Sequence, residues 1–304
     1  MSKDYITRIK ANVSIFATKK TSSVLDGTYR SIFMGRSMNF EDLREYVPGD
    51  SLRDVDWKAS SRNRNLLMVK RYVADKKHNI LLVLDTGAKM GADTATGSLK
   101  KDVALYTAGT ISYLAYKNGD NIGALYNSDG LMRLHSFKTG LVNVQRILAE
   151  ADAEILKDSN VGKRKKNKRN DNSIGNTLNY IINHFQRKMI VFVITDMKGM
   201  DSVEEATIKR LTCRHDVLFV NVSDCKVADG KKSFDVDNDC YIPSFVARNK
   251  RLSRLENARH AEITERGSRK LIKHGIPFET INSEDEIVEK IITLLEKHKH
   301  ANIR

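Results

Sequence analysis

Three short apolar runs in the second part of the chain constrain its fold more than any other feature. Residues 79–85 (NILLVLD) and 189–196 (MIVFVITD) end in a carboxylate, and residues 216–222 (DVLFVNV) have a similar composition. Runs of Val, Ile and Leu without polar alternation are typical of strands that are buried on both faces of a parallel sheet. The chain therefore predicts a sheet with helices on both sides.

Amphipathic segments separate these strands. Asn121–Asn127 and Leu131–Phe137 flank a Ser-Asp-Gly turn and indicate a hairpin, and Pro277–Ile281 is a last short strand. The pattern predicts a doubly wound, mostly parallel α/β domain over residues 79–304. Gly267 weakens the prediction of one continuous helix near its position. The predicted helices are Ser98–Lys117, Leu141–Leu156, Ile174–Gln186, Ser202–Arg214, Leu252–Lys273 and Glu284–His298.

Polar side chains at the strand ends indicate a binding crevice. In open α/β sheets, ligands bind beyond the carboxyl ends of the strands, where the strand order reverses. If the first and fourth strands are neighbours, Asp85 and Asp196 lie side by side there, and Thr177 begins a nearby helix. Carboxylate and hydroxyl oxygens are hard donors, which suit Mg²⁺.

This layout resembles the metal-ion-dependent adhesion site of von Willebrand factor A-type domains, which uses an Asp-x-Ser-x-Ser turn, a Thr and a second Asp. Asp85, Thr177 and Asp196 match that pattern, whereas Gly87 and Lys89 replace the two serines. An ammonium group beside a divalent ion is unfavourable, and the same group can neutralise the two carboxylates directly. The sequence therefore favours a degenerate, metal-free site held by ion pairs, with Mg²⁺ binding as the alternative.

Residues 1–78 form a separate N-terminal segment in this interpretation. Tyr5–Lys19 has apolar residues on one face, which favours docking on the neighbouring domain over lying on a membrane. A stretch over 31–61 follows that is dense in Gly, Arg and Asp, and it shows no clear periodicity. The characteristic residues of this stretch and the position just after it are Phe40, Arg44, Tyr46, Gly49, Asp50, Arg53, Trp57 and Arg62.

At this spacing the segment closely resembles the bacterial family catalogued as domain of unknown function fifty-eight. The resemblance implies a von Willebrand A-like fold, a partnership with a MoxR-type AAA+ ATPase, and a non-enzymatic role as an adaptor or co-chaperone. The motif has two interpretations. It fastens the segment to the sheet domain through buried hydrogen bonds, with Trp57 as an apolar plug, or it forms a surface that contacts the partner.

The net charge of +14 is concentrated in two places. Residues 1–78 hold 16 Lys+Arg against 9 Asp+Glu, and residues 157–170 hold 7 against 1. The second group contains a basic loop that has no aromatic residue for stacking on bases, so it favours an acidic protein surface over nucleic acid. Its cations are Lys163, Arg164, Lys165, Lys166, Lys168 and Arg169.

Two other functions remain open at this point. A metal-dependent hydrolase or nuclease would use Asp85 and Asp196, and a nucleic-acid-binding module would use the basic loop 163–169. No P-loop is present, so ATP hydrolysis is expected of the partner. No apolar run has the length of a membrane span, no signal peptide is visible, and three cysteines without a pairing motif fit a reducing compartment. We therefore expect a cytoplasmic protein.

Overall fold

The computed structural model describes residues 5–16, 39–62, 66–73, 77–128, 131–159, 174–225, 234–235, 240–241 and 249–301. Ten strands lie in this part of the chain, and six of them form the main sheet. The strands are β1 Asn39–Glu45, β2 Met68–Val73, β3 Asn79–Leu84, β4 Asn121–Ser128, β5 Leu131–Lys138, β6 Ile190–Asp196, β7 Asp216–Val222, β8 Phe234–Asp235, β9 Cys240–Tyr241 and β10 Phe278–Ile281.

Nine α-helices lie in the same described part of the chain. They are α1 Tyr5–Phe16, α2 Trp57–Ser60, α3 Lys100–Lys117, α4 Leu141–Ser159, α5 Ile174–His184, α6 Met197–Ser202, α7 Glu205–Thr212, α8 Lys250–Lys273 and α9 Ile287–Ala301.

The main sheet has the strand order β10-β7-β6-β3-β4-β5. All its neighbouring pairs are parallel except β4 and β5, which form the predicted antiparallel hairpin. Chain order runs outward from β3 through β4 and β5, and outward in the other direction from β6 through β7 and β10. The order therefore reverses between β3 and β6, so the predicted neighbourhood of the first and fourth strands is confirmed.

Helices pack on both faces of this sheet and divide the core into two clusters. Ile80, Leu82 and Leu84 point into one cluster, whereas Leu81 and Val83 point into the other. This alternation is the two-residue period of a strand, and here both faces are apolar because both are covered. The structure is a mixed α/β fold with a mostly parallel sheet flanked by helices, as the apolar runs predicted.

The first helix belongs to one of these two clusters. Tyr5, Ile9 and Val13 of α1 are buried among residues of α3, α4 and α9. Gly109 of α3 allows this approach, because a Cβ there would collide with Ile9 Cδ1. The apolar face of α1 thus packs on the sheet domain. The predicted domain boundary at residue 78 stays a prediction.

The helix predicted over Ser202–Arg214 is shorter in the structure, α7 over Glu205–Thr212, and a separate short helix that was not predicted, α6, precedes it. α8 is continuous despite Gly267, since that glycine packs against α6: a Cβ would lie 3.0 Å from Met200 Cε. Glycine lowers the intrinsic helix propensity at position 267, but the absence of a side chain there allows α8 to pack closely against α6.

The segment between α1 and the main sheet contains a two-stranded antiparallel ribbon, which the sequence pattern did not predict. β1 pairs with β2, and Val55 forms a further bridge with Val69. Within the described ranges, no helix is long and apolar enough to cross a membrane.

Candidate functional site: an ion-paired crevice at the strand ends

The crevice lies where β3 and β6 end side by side. Asp85 follows β3 directly, and its backbone N–H donates to the Ile194 carbonyl of β6 at 3.0 Å. Asp196 is the last residue of β6 and caps α6, accepting the Gly199 N–H at 2.7 Å. Both Asp side chains are buried. The reversal of strand order therefore brings together the two carboxylates that the sequence singled out.

Lys89 lies between these carboxylates. Its Nζ is 3.0 Å from Asp85 Oδ2 and 2.8 Å from Asp196 Oδ1. The position is set locally, because the Gly87 N–H donates to Asp85 Oδ1 at 3.1 Å and a 3₁₀ turn over Ala88–Gly91 follows. The Lys89 side chain is 33% exposed, whereas that of Asp85 is 2% exposed, so Lys89 is the more solvent-accessible partner of this pair.

A hydroxyl and a glycine complete the packing around this pair. Thr195 donates its hydroxyl to Asp85 Oδ2 at 2.6 Å. Gly199 leaves room for the group, since a Cβ there would collide with the Thr195 hydroxyl and lie 3.1 Å from both Asp85 Oδ2 and Lys89 Nζ. A side chain at position 199 would therefore displace the ion pairs.

A second ammonium lies behind the first. Lys100, in the first turn of α3, is 2% exposed. Its Nζ is 3.6 Å from Asp196 Oδ2 and makes a closer ion pair with Asp224. Asp224 lies two residues after β7, so three adjacent strands deliver an Asp to the same crevice. Sequence reasoning missed Lys100 and Asp224, although the strand-end position of Asp224 repeats the pattern of the other two.

The electrostatics of the cluster follow from burial and proximity. Burial disfavours the charge on Asp196, but the ammonium groups of Lys89 and Lys100 outweigh it and hold the pKa of Asp196 below its usual value. Burial likewise opposes the charge on Lys89, but Asp85 and Asp196 outweigh it and raise its pKa. For Lys100, burial dominates and lowers the pKa.

This donor set does not fit a divalent metal. Asp85 and Asp196 both direct oxygens at Lys89, so a metal ion would have to displace a bound ammonium. No group of three or more His, Cys, Asp or Glu residues with metal-binding geometry is present among the residues described. Two ammonium groups offset two of the three carboxylates, which leaves a formal charge of −1 in the cluster.

The other predicted residues of the crevice have different positions. Thr177 is buried in the first turn of α5, whereas the hydroxyl that contacts Asp85 belongs to Thr195. A role for Thr177 stays a prediction. The basic loop 163–169 lies outside the described residues.

The family-specific motif forms a turn on the β1–β2 ribbon. Arg44 pairs with Asp50 Oδ1 at 2.6 Å, and Asp50 Oδ2 accepts the Val47 N–H at 2.9 Å. Gly49 has φ +112°, a backbone conformation that other residues rarely adopt. The Gly49-Asp50 pair of the motif therefore shapes the turn itself. Phe40 lies in β1, and its side chain is outside the described part.

The interpretation of Trp57 as an apolar plug is wrong. The only Trp of the chain is 65% exposed, in the first position of α2. Burial is an average tendency of large aromatic residues, and this position departs from it. Arg53 and Arg62 are exposed on either side of it in the chain, and Tyr46 is half-buried.

Fold and site together define a mixed α/β protein with an ion-paired, strand-end crevice and an appended β-ribbon. The chain belongs to the family described as "Protein of unknown function DUF58", which it matches over residues 42–229. The match includes the ribbon motif from residue 42 onward and all five charged residues of the crevice.

Three mycobacterial proteins similar to this chain are described as uncharacterized. Proteins of Mycobacterium bovis and Mycobacterium tuberculosis are 30% identical over 122 residues, which is 40% of this chain and 38% of each relative. The chain thus spans about two fifths of the curated relatives that it matches. A crystal structure of the conserved hypothetical protein BatB from Bacteroides thetaiotaomicron covers 73% of this chain and 98% of its own, at 15% identity and a TM-score of 0.40.

Proposed function

We propose that the protein is a non-enzymatic adaptor or co-chaperone, which binds a MoxR-type AAA+ ATPase and uses a degenerate metal-ion-dependent adhesion site of the von Willebrand A type. The observation that carries this proposal is the position of Lys89, whose Nζ lies within 3.0 Å of Asp85 and 2.8 Å of Asp196. An ammonium occupies the place between the two carboxylates that a metal would need.

The crevice retains a means of binding without a metal. Lys89 has three N–H donors, of which Asp85 and Asp196 take two, and its side chain is 33% exposed. The remaining donor can bind an oxygen of a partner at the mouth of the crevice. Because the cluster has a formal charge of −1, a carbonyl or amide oxygen suits it better than a carboxylate does.

The same geometry gives no support to metal-dependent hydrolysis. A hydrolase of that class needs carboxylates free to bind a metal and to polarise a water molecule. Here the buried carboxylates of Asp85 and Asp196 are engaged by lysines and by the N–H and hydroxyl donors around them. ATP hydrolysis is assigned to the partner.

The metal-free site is tested by calorimetric titration with Mg²⁺ of the wild type and of Lys89→Ser. We expect no binding by the wild type and weak binding by the variant, which regains one hydroxyl donor. Tight Mg²⁺ binding by the wild type would contradict the proposal that the Lys89 ammonium takes the place of a metal ion.

The adaptor role is tested with the AAA+ ATPase encoded nearest to the gene. The purified ATPase, held with a slowly hydrolysed ATP analogue, is expected to bind the immobilised full chain and to release it after hydrolysis of ATP. No binding in any nucleotide state would count against the adaptor role.

A further inference from the structure

One end of the β1–β2 ribbon exposes an unusual number of apolar side chains. Trp57 is 65% exposed and Leu52 62%, and three further residues are also exposed. Single exposed apolar residues are common, but a group of them at one place marks an interaction site. The three further residues are Val47, Leu66 and Leu67.

Backbone hydrogen bonds place these residues at the same end of the ribbon. The Tyr46 N–H donates to Leu67 O at 2.8 Å, and the Asp56 N–H donates to Met68 O at 2.8 Å. Val47 and Trp57 are the next residues after these two donors. Leu52 begins the 3₁₀ turn that leads to Val55, which is bridged to Val69. We refer to Val47, Leu52, Trp57, Leu66 and Leu67 as the ribbon tip.

The tip is held in a fixed conformation. Asp56 caps α2 by accepting the Lys58 and Ala59 N–H groups at 3.1 and 3.0 Å. Ser60 donates to Asp56 O at 2.7 Å and accepts the Met68 N–H at 2.8 Å, which fastens α2 to β2. The backbone that carries Trp57 is therefore already ordered, so that binding has only the side chain left to order at this position.

The acidic and basic residues around the tip differ in exposure. Asp50 and Asp56 are half-buried, and both have partners. Asp50 pairs with Arg44 and accepts the Val47 N–H, and Asp56 accepts the first N–H groups of α2. The exposed charged residues nearest to Trp57 in the chain are cations, Arg53, Lys58 and Arg62, whereas Asp54 is half-buried. A surface with a central Trp and flanking Arg and Lys is complementary to an apolar pocket with an acidic rim.

We infer that the ribbon tip is the surface through which this protein docks on its AAA+ ATPase, with Trp57 inserted into an apolar pocket rimmed by Asp or Glu side chains. The inference rests on the proposed function and adds the location and chemistry of the contact. A protein partner fits better than nucleic acid, because four of the five tip residues are aliphatic and cannot stack on bases.

The test measures binding of the ATPase, trapped with a slowly hydrolysed ATP analogue, to full-length variants by biolayer interferometry. Trp57→Ser is expected to raise the Kd about 30-fold, the loss typical of a central hot-spot residue. Leu52→Ser is expected to raise it less. Val142→Ser is the matched control, since Val142 is 86% exposed on α4, and its Kd is expected to stay within about twofold.

The cationic rim has its own variant. The double substitution Arg53→Glu with Lys58→Glu is expected to slow association, and the difference from wild type is expected to shrink as NaCl is raised. Arg254→Glu, at an exposed position of α8, is the matched control. Circular dichroism of every variant confirms that the fold is retained.

The outcomes separate the two proposals. If the wild type binds the ATPase and Trp57→Ser binds equally well, the docking surface is overturned and the adaptor role stands. If the wild type does not bind, the adaptor role fails and the docking surface falls with it. Trp57-dependent binding to phosphatidylcholine/phosphatidylglycerol vesicles, or a Trp57-dependent dimer in light scattering, assigns the tip to another occupant and also overturns the inference.

Discussion

The crevice and the ribbon tip depart from an ordinary protein in opposite ways. In the crevice, charged side chains are buried: Asp85, Asp196 and Lys100 are each less than 5% exposed. At the ribbon tip, apolar side chains are exposed. The buried charges are compensated inside the chain by one another, whereas the exposed apolar groups of the tip face solvent. The comparison indicates that the buried charges of the crevice have partners within the chain, whereas the apolar groups of the tip are left exposed in the part of the chain that the structure describes.

The largest expected effect is in the crevice. Lys89→Met leaves Asp85 and Asp196 buried without their shared ammonium, and we expect a loss of about 2–3 kcal/mol in the free energy of unfolding. Removing one partner of a fully buried ion pair typically costs about 3–5 kcal/mol. The expected loss is smaller here because the Lys89 side chain is 33% exposed. Urea denaturation measures the change.

Lys58→Met at the ribbon tip is the control for that experiment. Lys58 is exposed, so its removal is expected to change the free energy of unfolding by less than about 0.5 kcal/mol. Equal effects of the two substitutions would remove the distinction between a self-compensated crevice and an open tip.

Substitutions of two glycines, one in each region, are expected to have intermediate effects on stability. Gly199→Ala is expected to destabilise the fold by about 1–3 kcal/mol, because the added methyl group collides with Thr195 and crowds Lys89. Gly49→Ala is expected to cost about 1 kcal/mol through its positive φ, since no atom lies within 4 Å of the added Cβ.

Hydrogen exchange distinguishes the two glycine substitutions. Gly49→Ala is expected to increase opening only in the ribbon, whereas Gly199→Ala increases it in β3 and β6. Increased exchange across the main sheet in Gly49→Ala would contradict local strain at the turn.

The two regions also predict different responses to acid and salt. Asp196 and Asp50 both have a pKa below the usual value, Asp196 because Lys89 and Lys100 outweigh its burial and Asp50 because Arg44 donates to it. A lowered pKa contributes stability above the pKa of the unfolded state, and this contribution is lost as the pH falls through the folded-state value. Both contributions are therefore lost only in acid, below about pH 3.9.

Salt separates the two groups. Asp50 pairs at the surface, so about 1 M NaCl is expected to raise its pKa toward the ordinary value, whereas Asp196 is buried and is expected to change little. Carboxyl ¹³C NMR titration at low and high salt measures both. An equal response of the two groups would show that Asp196 is more open to solvent than the structure indicates.

The smallest expected effect on stability is at Trp57. Trp57→Ser is expected to alter the free energy of unfolding by less than about 0.5 kcal/mol, because the side chain is 65% exposed. A loss of about 2 kcal/mol or more in urea denaturation would mean that the indole is buried in the folded protein, and would restore the plug interpretation.

The sheet could be predicted because its strands carry a strong local signal. Uninterrupted apolar runs such as Ile80–Leu84 have few alternatives to burial in a parallel sheet. The ribbon strands gave no such signal, since β1 reads NFEDLRE and β2 contains adjacent Lys and Arg. They are defined by their mutual pairing, which a local pattern does not contain.

The crevice could be predicted only in part, namely for the residues whose positions follow from the strand ends. Asp85 and Asp196 follow directly from strand ends, and Lys89 from its distance of four residues to Asp85. Lys100 is brought in by the course of the loop that precedes α3, and Thr195 by the packing of one side chain. Such contacts depend on tertiary geometry. The burial of Trp57 was inferred from residue type alone, but in the structure its side chain is 65% exposed.

The packing of α1 has a consequence for how the chain is divided. Residues 5–16 supply Tyr5, Ile9 and Val13 to the core of a sheet that begins at Asn79, whereas the family match begins at residue 42. The core of the sheet domain therefore includes residues that lie before the family match. A protein that begins at residue 42 would leave the apolar residues of α3, α4 and α9 that pack against α1 open to solvent, and we expect it to be less stable than the full chain.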